Sequence, residues 1–329
     1  ITANYVINGT GSLTQIGPGT LVLGGNNTYS GASRIRNGTV EVGQDSLSGT
    51  AGAFGNATSA IVLGTSNTGA GNARLLINGA HAVGRAISVG SESNGGIGYS
   101  AVIGGSNTTG TSTFSGNITL GTTATNYTAT LQAATGGTVE FTGGTWTTNN
   151  KQIQVGSADN EGVVKISNVV STTGGFAVSA GTLEFSSGTL GAVGNIAFTG
   201  NSTLRWASGN TQDVSTRIVM TNGITSNFNT NGNNVTLASA FGNATTGILT
   251  KRGNGVLTLS ANNTFSGGAV VNGGTLRANN TPGGGSSATG SGAVTVDAGG
   301  TFDGNGAVSG PVTVNNLGTL SPGVGIESL

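Results

Sequence analysis

From Gly253 to Asn279 the chain reads GNGVLTLSANNTFSGGAVVNGGTLRAN, and from Gly17 to Gly43 it reads GPGTLVLGGNNTYSGASRIRNGTVEVG. The two stretches align at a constant offset, without a gap, from Gly19/Gly255 to Val42/Ala278. Each reads as a short alternating strand (Leu21-Val22-Leu23; Leu257-Thr258-Leu259), an Asn-Asn-Thr-aromatic-Ser-Gly turn, and a second strand ending in Gly-Thr and an apolar residue. Asn and Gly between strands reach positive φ cheaply and so turn the chain tightly. A unit this short cannot bury its own apolar face, so it must stack on neighbours.

The composition agrees with an ordered, all-β chain. Glycine accounts for 63 of 329 residues and proline for only 4, which without a three-residue period excludes collagen. Val, Ile, Leu and Phe recur in short regular runs, and the high net charge of disordered chains is missing. Eleven basic residues balance 11 acidic ones, with no basic stripe to neutralise phosphates, so nucleic acid is not an expected partner. A neutral surface of hydroxyls and amides has little like-charge repulsion, which leaves self-association open. There are no cysteines, so disulfides, thiol catalysis and Cys-based metal sites are excluded. No apolar run approaches a bilayer-spanning length. The chain starts at Ile1 with no signal-peptide pattern, and both ends read as cuts through a longer solenoid.

Strands are expected near Tyr5–Ile7, Leu13–Ile16, Leu21–Leu23, Ser33–Ile35, Val40–Val42, Ile61–Leu63, Leu75–Ile77, Ile87–Val89 and Ala101–Ile103, with Gln44–Thr58 a wider loop. Further on, Val163–Ile166, Phe176–Val178, Ile196–Phe198, Val294–Val296 and Val312–Val314 fit the same pattern. Gly137-Thr138-Val139, Gly181-Thr182-Leu183 and Ser202-Thr203-Leu204 mark corresponding places in successive units. The strand starts at Val163, Leu183 and Leu204 are almost evenly spaced, at an interval that suits one coil of a parallel β-helix. At ~22 residues per coil and ~4.8 Å per layer, the whole chain makes ~15 coils and a single elongated rod ~70 Å long. Residues 1–329 thus read as one continuous β-solenoid, with a Gly/Ser-rich loop at 279–291 outside its wall.

The units at 17–43 and 253–279 resemble the autotransporter-associated β-strand repeat, also called the passenger-associated transport repeat. Gly255, Leu257, Leu259, Asn262, Asn263, Thr264, Phe265, Ser266, Gly267, Gly274, Thr275 and Leu276 carry the resemblance. Their counterparts are Gly19, Leu21, Leu23, Asn26, Asn27, Thr28, Tyr29, Ser30, Gly31, Gly38, Thr39 and Val40. The tail from Gly253 to Gly323 looks like the same family, and the rest of the chain agrees with it only in period. The resemblance implies a right-handed parallel β-helix exported to the outer surface of a Gram-negative bacterium. It also implies a C-terminal outer-membrane barrel in the full-length protein, and no run of ~10-residue membrane strands closes this chain. It implies a repeat that assists secretion and folding of the passenger, and it carries no enzymatic or cofactor-binding residues.

The search for chemistry yields little. His81 is the single histidine, in Gly79-Ala80-His81-Ala82, and cannot by itself build a zinc site or a triad with alternatives. Nucleophile-elbow, phosphate-loop and Asp-rich calcium motifs are missing. Polysaccharide-cleaving β-helices need two facing carboxylates, ~5 Å or ~6.5–9.5 Å apart. Glu140 and Glu184 follow corresponding Gly-Thr-apolar positions and are expected on one face. Asp159 and Glu161 share a face if that segment is extended. Glu41, Asp45, Glu92, Asp213, Asp297, Asp303 and Glu327 complete the acids, all read as solvent-facing charges. Among the aromatics (Tyr5, Tyr29, Tyr99, Tyr127, Trp146, Trp206), Tyr29 and Phe265 are expected to pack structurally. Trp206 alternates in phase with Leu204 and is expected inside. Trp146 remains as the candidate ligand platform. Asn-x-Thr/Ser at Asn56, Asn107, Asn117 and Asn201 follows from the composition, and Asn at equivalent turns is expected to form hydrogen-bonded ladders.

The reading is a non-enzymatic extracellular passenger or stalk segment serving display, adhesion or spacing, with no catalytic, cofactor or metal residue. Its neutral flanks are open to cell-surface or carbohydrate ligands or to identical chains. A self-assembling filament or sheath subunit, and a polysaccharide-acting enzyme, are the alternatives.

Overall fold

The computed structural model describes residues 1–65, 72–92, 99–121 and 127–323. Glu327 and the side chains of Glu92, Tyr99 and Tyr127 lie outside the described residues. The chain divides into two compact units: Ile1–Phe176 with Thr189–Val193, and Ala177–Gly188 with Gly194–Leu329. Apart from a 3-10 turn at Ser215–Arg217, the regular elements among the described residues are strands. Each strand pairs in parallel with its counterpart one coil away, so both units are β-solenoids, and the described residues make about 12 turns. This is fewer than the ~15 expected from a uniform coil. The coils differ in length: Val294 meets Val312 after a short step, whereas Gly38 meets Ala73 only after one nearly twice as long.

In the first unit a coil contributes one strand to each of three sheets, as Tyr99–Gly105, Thr111–Phe114 and Ile118–Leu120 show. The next coil repeats them as Tyr127–Ala133, Thr138–Phe141 and Trp146–Thr147, in register. The second unit carries a sheet running from Thr182–Phe185 through Ser202–Trp206, Thr225–Asn229, Ile248–Arg252, Ala269–Val271 and Val294–Val296 to Val312–Val314. Beside it stands a second sheet from Val235–Leu237 to Thr319–Pro322.

Two-residue alternation points one set of side chains inward, and stacking aligns like with like. Leu21 pairs with Val40, Leu23 with Val42, and Val42 with Ile77. In the second unit five rings, Phe185, Trp206, Phe228, Phe241 and Phe265, follow one another at centroid separations of 5.4, 6.3, 6.1 and 5.8 Å. Each such contact contributes roughly 0.5–1.5 kcal/mol beyond the area it buries.

The strands from Leu13–Gln15 onward fall where alternation places them. Tyr5–Ile7 does not form a strand; the first lies at Thr2–Ala3, and Tyr5 is 88% exposed. Ile7 instead gives its N–H to the Asn27 side chain, and its carbonyl accepts the Thr28 N–H, which takes it out of a regular ladder. The loop at 279–291 leaves the wall only in part. Residues 281–285 are exposed, whereas Asn280, Ser287, Ala288 and Thr289 are buried. Asp159 sits in a turn closed by the Ser157–Asn160 bridge, so it and Glu161 are not successive outward residues of one strand.

Candidate functional site

The two sequence copies build the same object. In the first, Thr20 pairs with Thr39; in the second, Val256 pairs with Thr275. The two steps are equal in length, and each repeat closes one short coil. The Asn-Asn-Thr-aromatic-Ser stretch between the strands is not a tight turn. Burial alternates through it, with Asn27 and Tyr29 inside and Asn26, Thr28 and Ser30 outside. Asn263 and Phe265 are likewise inside, with Asn262, Thr264 and Ser266 outside. None of the four repeat asparagines has a positive φ. The stretch is an irregular wall, and the asparagines serve through their side chains.

Asn27 is fully buried and accepts the Ile7 N–H on Oδ1 (2.8 Å) while donating from Nδ2 to the Ala53 carbonyl (2.8 Å). Asn263 accepts the Phe241 N–H (2.9 Å) and donates to the Ala288 carbonyl (2.6 Å). In each copy one amide therefore satisfies backbone groups of the coil before and the coil after. Glycine supplies close approach. A Cβ on Gly38 would stand 2.2 Å from the Gly17 carbonyl oxygen, and one on Gly274 2.5 Å from that of Gly253, with φ at +81° and +61°. Gly31 and Gly267 lie equally tight on Gly11 and Gly247. Tyr29 and Phe265 point inward; the Tyr29 hydroxyl lies 3.0 Å from Ser33 Oγ, and burial pushes its pKa up.

Elsewhere too, asparagine side chains bond mostly to backbone rather than to each other. Asn117, Asn201 and Asn222 accept the N–H of Thr145, Thr225 and Thr246 one coil on. Only Asn280 to Asn262 (2.5 Å) has the amide-to-amide form of the expected ladder among the bonds described.

Three carboxylates are matched in register to cations. Glu140 is in register with Lys165 and pairs with it at 3.0 Å; Glu184 is in register with Arg205 (2.5 Å), and Arg277 with Asp303 (2.7 Å). Burial alone would raise the Glu140 pKa, but the Ser167 hydroxyl and Lys165 outweigh it and hold it below the usual carboxylate value. Asp45 lies 3.4 Å from His81 and also accepts the Ala82 N–H. Among the described residues, no three His, Asp or Glu side chains gather as metal ligands would.

Trp146 does not present its ring at the surface, as a ligand platform would. It is 8% exposed, on the inner side of Trp146–Thr147, with its ring edge-on to Phe141 at 5.4 Å. Trp206 is inside, as its phase predicts, and gives its indole N–H to the Gln212 carbonyl (2.9 Å).

Two of the buried cations, Lys251 and Arg85, escape a reading of the sequence, and phase is the signal for both. Lys251 shares the inward phase of Leu249 and lies in register between Phe228 and Val271. Its ammonium donates to the carbonyls of Arg252 (2.9 Å), Gly253 (2.7 Å) and Gly273 (3.1 Å), and burial lowers its pKa to about 8. Gln15 holds the matching position in the first copy and donates to the Gly17 and Gly19 carbonyls. Arg85 shares the phase of Val83 and Ile87 and donates to the carbonyls of Phe54 (2.6 Å) and Ser59 (3.1 Å); burial lowers its pKa as well.

A family model described as passenger-associated-transport-repeat matches residues 13–42 and 249–278. The matches cover both coil closures and begin ahead of Gly17 and Gly253, so they take in Gln15 and Lys251. No curated protein and no solved structure matches the chain. Two such repeats set in a parallel β-solenoid fit an autotransporter passenger domain.

Proposed function

We propose that the chain is a segment of the exported passenger of an autotransporter-like protein, held at the outer surface of a Gram-negative bacterium for display, adhesion or spacing. The observation that carries this reading is the coincidence of the two transport-repeat matches with the two short coil closures. The closing of Glu140, Glu184 and Asp303 into ion pairs with Lys165, Arg205 and Arg277 favours a structural role over polysaccharide cleavage. At Glu140 the Ser167 hydroxyl and Lys165 hold the carboxyl below its usual pKa, the opposite of what a general acid needs. Neutral solenoid units whose strands pair coil to coil suit a spacer.

The test is protease shaving of intact cells carrying the natural full-length protein, followed by mass spectrometry. Release of peptides from residues 1–329 without cell lysis is expected. Release only after lysis would overturn the reading.

A further inference from the structure

On the outward face of the first unit lies a groove of about 450 Å³ that crosses the strands Thr20–Leu23, Gly38–Val42, Asn72–Ile77 and Tyr99–Gly105. Four strands at ~4.8 Å spacing give it a length of ~14 Å. Val40, Val42, Leu75 and Ile77 point into the core, so Thr39, Glu41, Arg74 and Leu76 point into the groove. Asn37, Thr39, Glu41 and Arg74 line it with their polar groups, and Leu76 and Val102 lie at its base, each only 6% exposed.

The two charges here are arranged unlike those elsewhere. Glu140–Lys165, Glu184–Arg205 and Arg277–Asp303 stand directly opposite one another in register and close into ion pairs. Glu41 instead faces Leu76, and Arg74 faces Thr39. That diagonal step separates their Cα atoms by ~7–8 Å. Neither side chain has a hydrogen bond or ion pair among the described residues, although both are half-buried. A guanidinium fork and a carboxylate fork thus stand open beside one another, along one side of the line from Leu76 to Val102.

We infer that this groove binds a neutral oligosaccharide. A sugar ring has a rim of vicinal hydroxyls. Guanidinium offers paired donors and carboxylate paired acceptors at the spacing of such hydroxyls. The paired opposite charges disfavour a polyanion, which Glu41 would repel, and a polycation, which Arg74 would repel. An extended peptide would need a free strand edge, and this is the face of a sheet whose strands are already paired. The inference deepens the display reading and rests on it only for the setting in which a saccharide is met.

The test is titration calorimetry and saturation-transfer NMR of the 329-residue chain. The probes are neutral hexasaccharides of glucose, galactose, mannose and N-acetylglucosamine, with hyaluronan hexasaccharide as the acidic comparator. At least one neutral probe is expected to bind saturably, and Arg74→Gln and Glu41→Gln each to weaken it by about tenfold or more. Melting temperature should not change, because neither side chain bonds anything in the fold. Should either variant fail to fold, Thr39→Glu, which obstructs the groove and keeps both charges, must weaken binding likewise. Failure of every neutral probe, preference for hyaluronan, or binding kept within about twofold in the folded variants would overturn the inference. Such failure leaves the shaving result untouched, since surface exposure does not depend on the groove.

Discussion

Asn263 donates from Nδ2 to the carbonyl of Ala288 at 2.6 Å, one coil further along the chain, and Asn27 does the same to Ala53. With the Phe241 and Ile7 N–H groups on the other side of each amide, one side chain holds three consecutive coils where the wall has no strand.

Removing that amide leaves a buried carbonyl unpaired in each copy, together with an N–H that is buried beside Asn263 and part-buried beside Asn27, each group costing ~1–3 kcal/mol. Asn27→Ala should therefore lower stability by about 3 kcal/mol, read as a shift in the urea midpoint. Asn26→Ala, at the exposed neighbour, should change it by under about 0.5 kcal/mol. Equal effects of the two would contradict the assignment.

Lys251 makes stability depend on alkaline pH. Its pKa is about 8 in the fold against an ordinary 10.5, so between these values the unfolded chain binds more protons and stability rises with pH. Below pH ~8 the buried charge is fully present and the fold carries its cost, on the order of 3 kcal/mol. Lys251→Met should abolish the rise between pH ~8 and ~10.5 and stabilise the protein at pH ~7. Urea melts at several pH values compare the two proteins; an unchanged slope would remove Lys251 as its source.

Gly274→Ala sets a Cβ 2.5 Å from the Gly253 carbonyl oxygen and 2.6 Å from that of Gly255, in a backbone region that L residues avoid. A loss of about 3 kcal/mol or more is expected. Gly284→Ala, with open space around it, should be nearly neutral in the same thermal melts.

Residues 281–285 are exposed, between Asn280, bonded to Asn262 and Ala307, and Ser287, bonded to Gly290 and Asn263. Brief subtilisin digestion should nick this segment, and the two fragments should co-elute on gel filtration. Dissociation on nicking would show that the flanks do not anchor it.

The fold was legible because alternation survives in nearly every strand and the two repeats announce the stacking. The role of the repeat asparagines was not. A single sequence shows Asn27 and Asn263 as turn formers, and only the neighbouring coils reveal what their amides reach. Trp146 lies in a two-residue strand, too short to show a phase, so its inward direction came from Ile118 and Phe141. Lys251 and Arg85 did show the inward phase, but a cation is expected to face solvent unless carbonyls are known to meet it. The groove around Arg74 required register: no sequence spacing reveals that Glu41 misses Arg74 by one diagonal step.

The most direct measurement of the proposed role is the amount of this protein exposed on intact cells when Asn27→Ala and Asn263→Ala are introduced together into the natural full-length protein, with Asn26→Ala as the control. If the two coil closures support folding during export, the surface amount falls several-fold in the double variant at equal transcript level and stays unchanged in the control. Equal surface amounts in all three proteins would contradict the account.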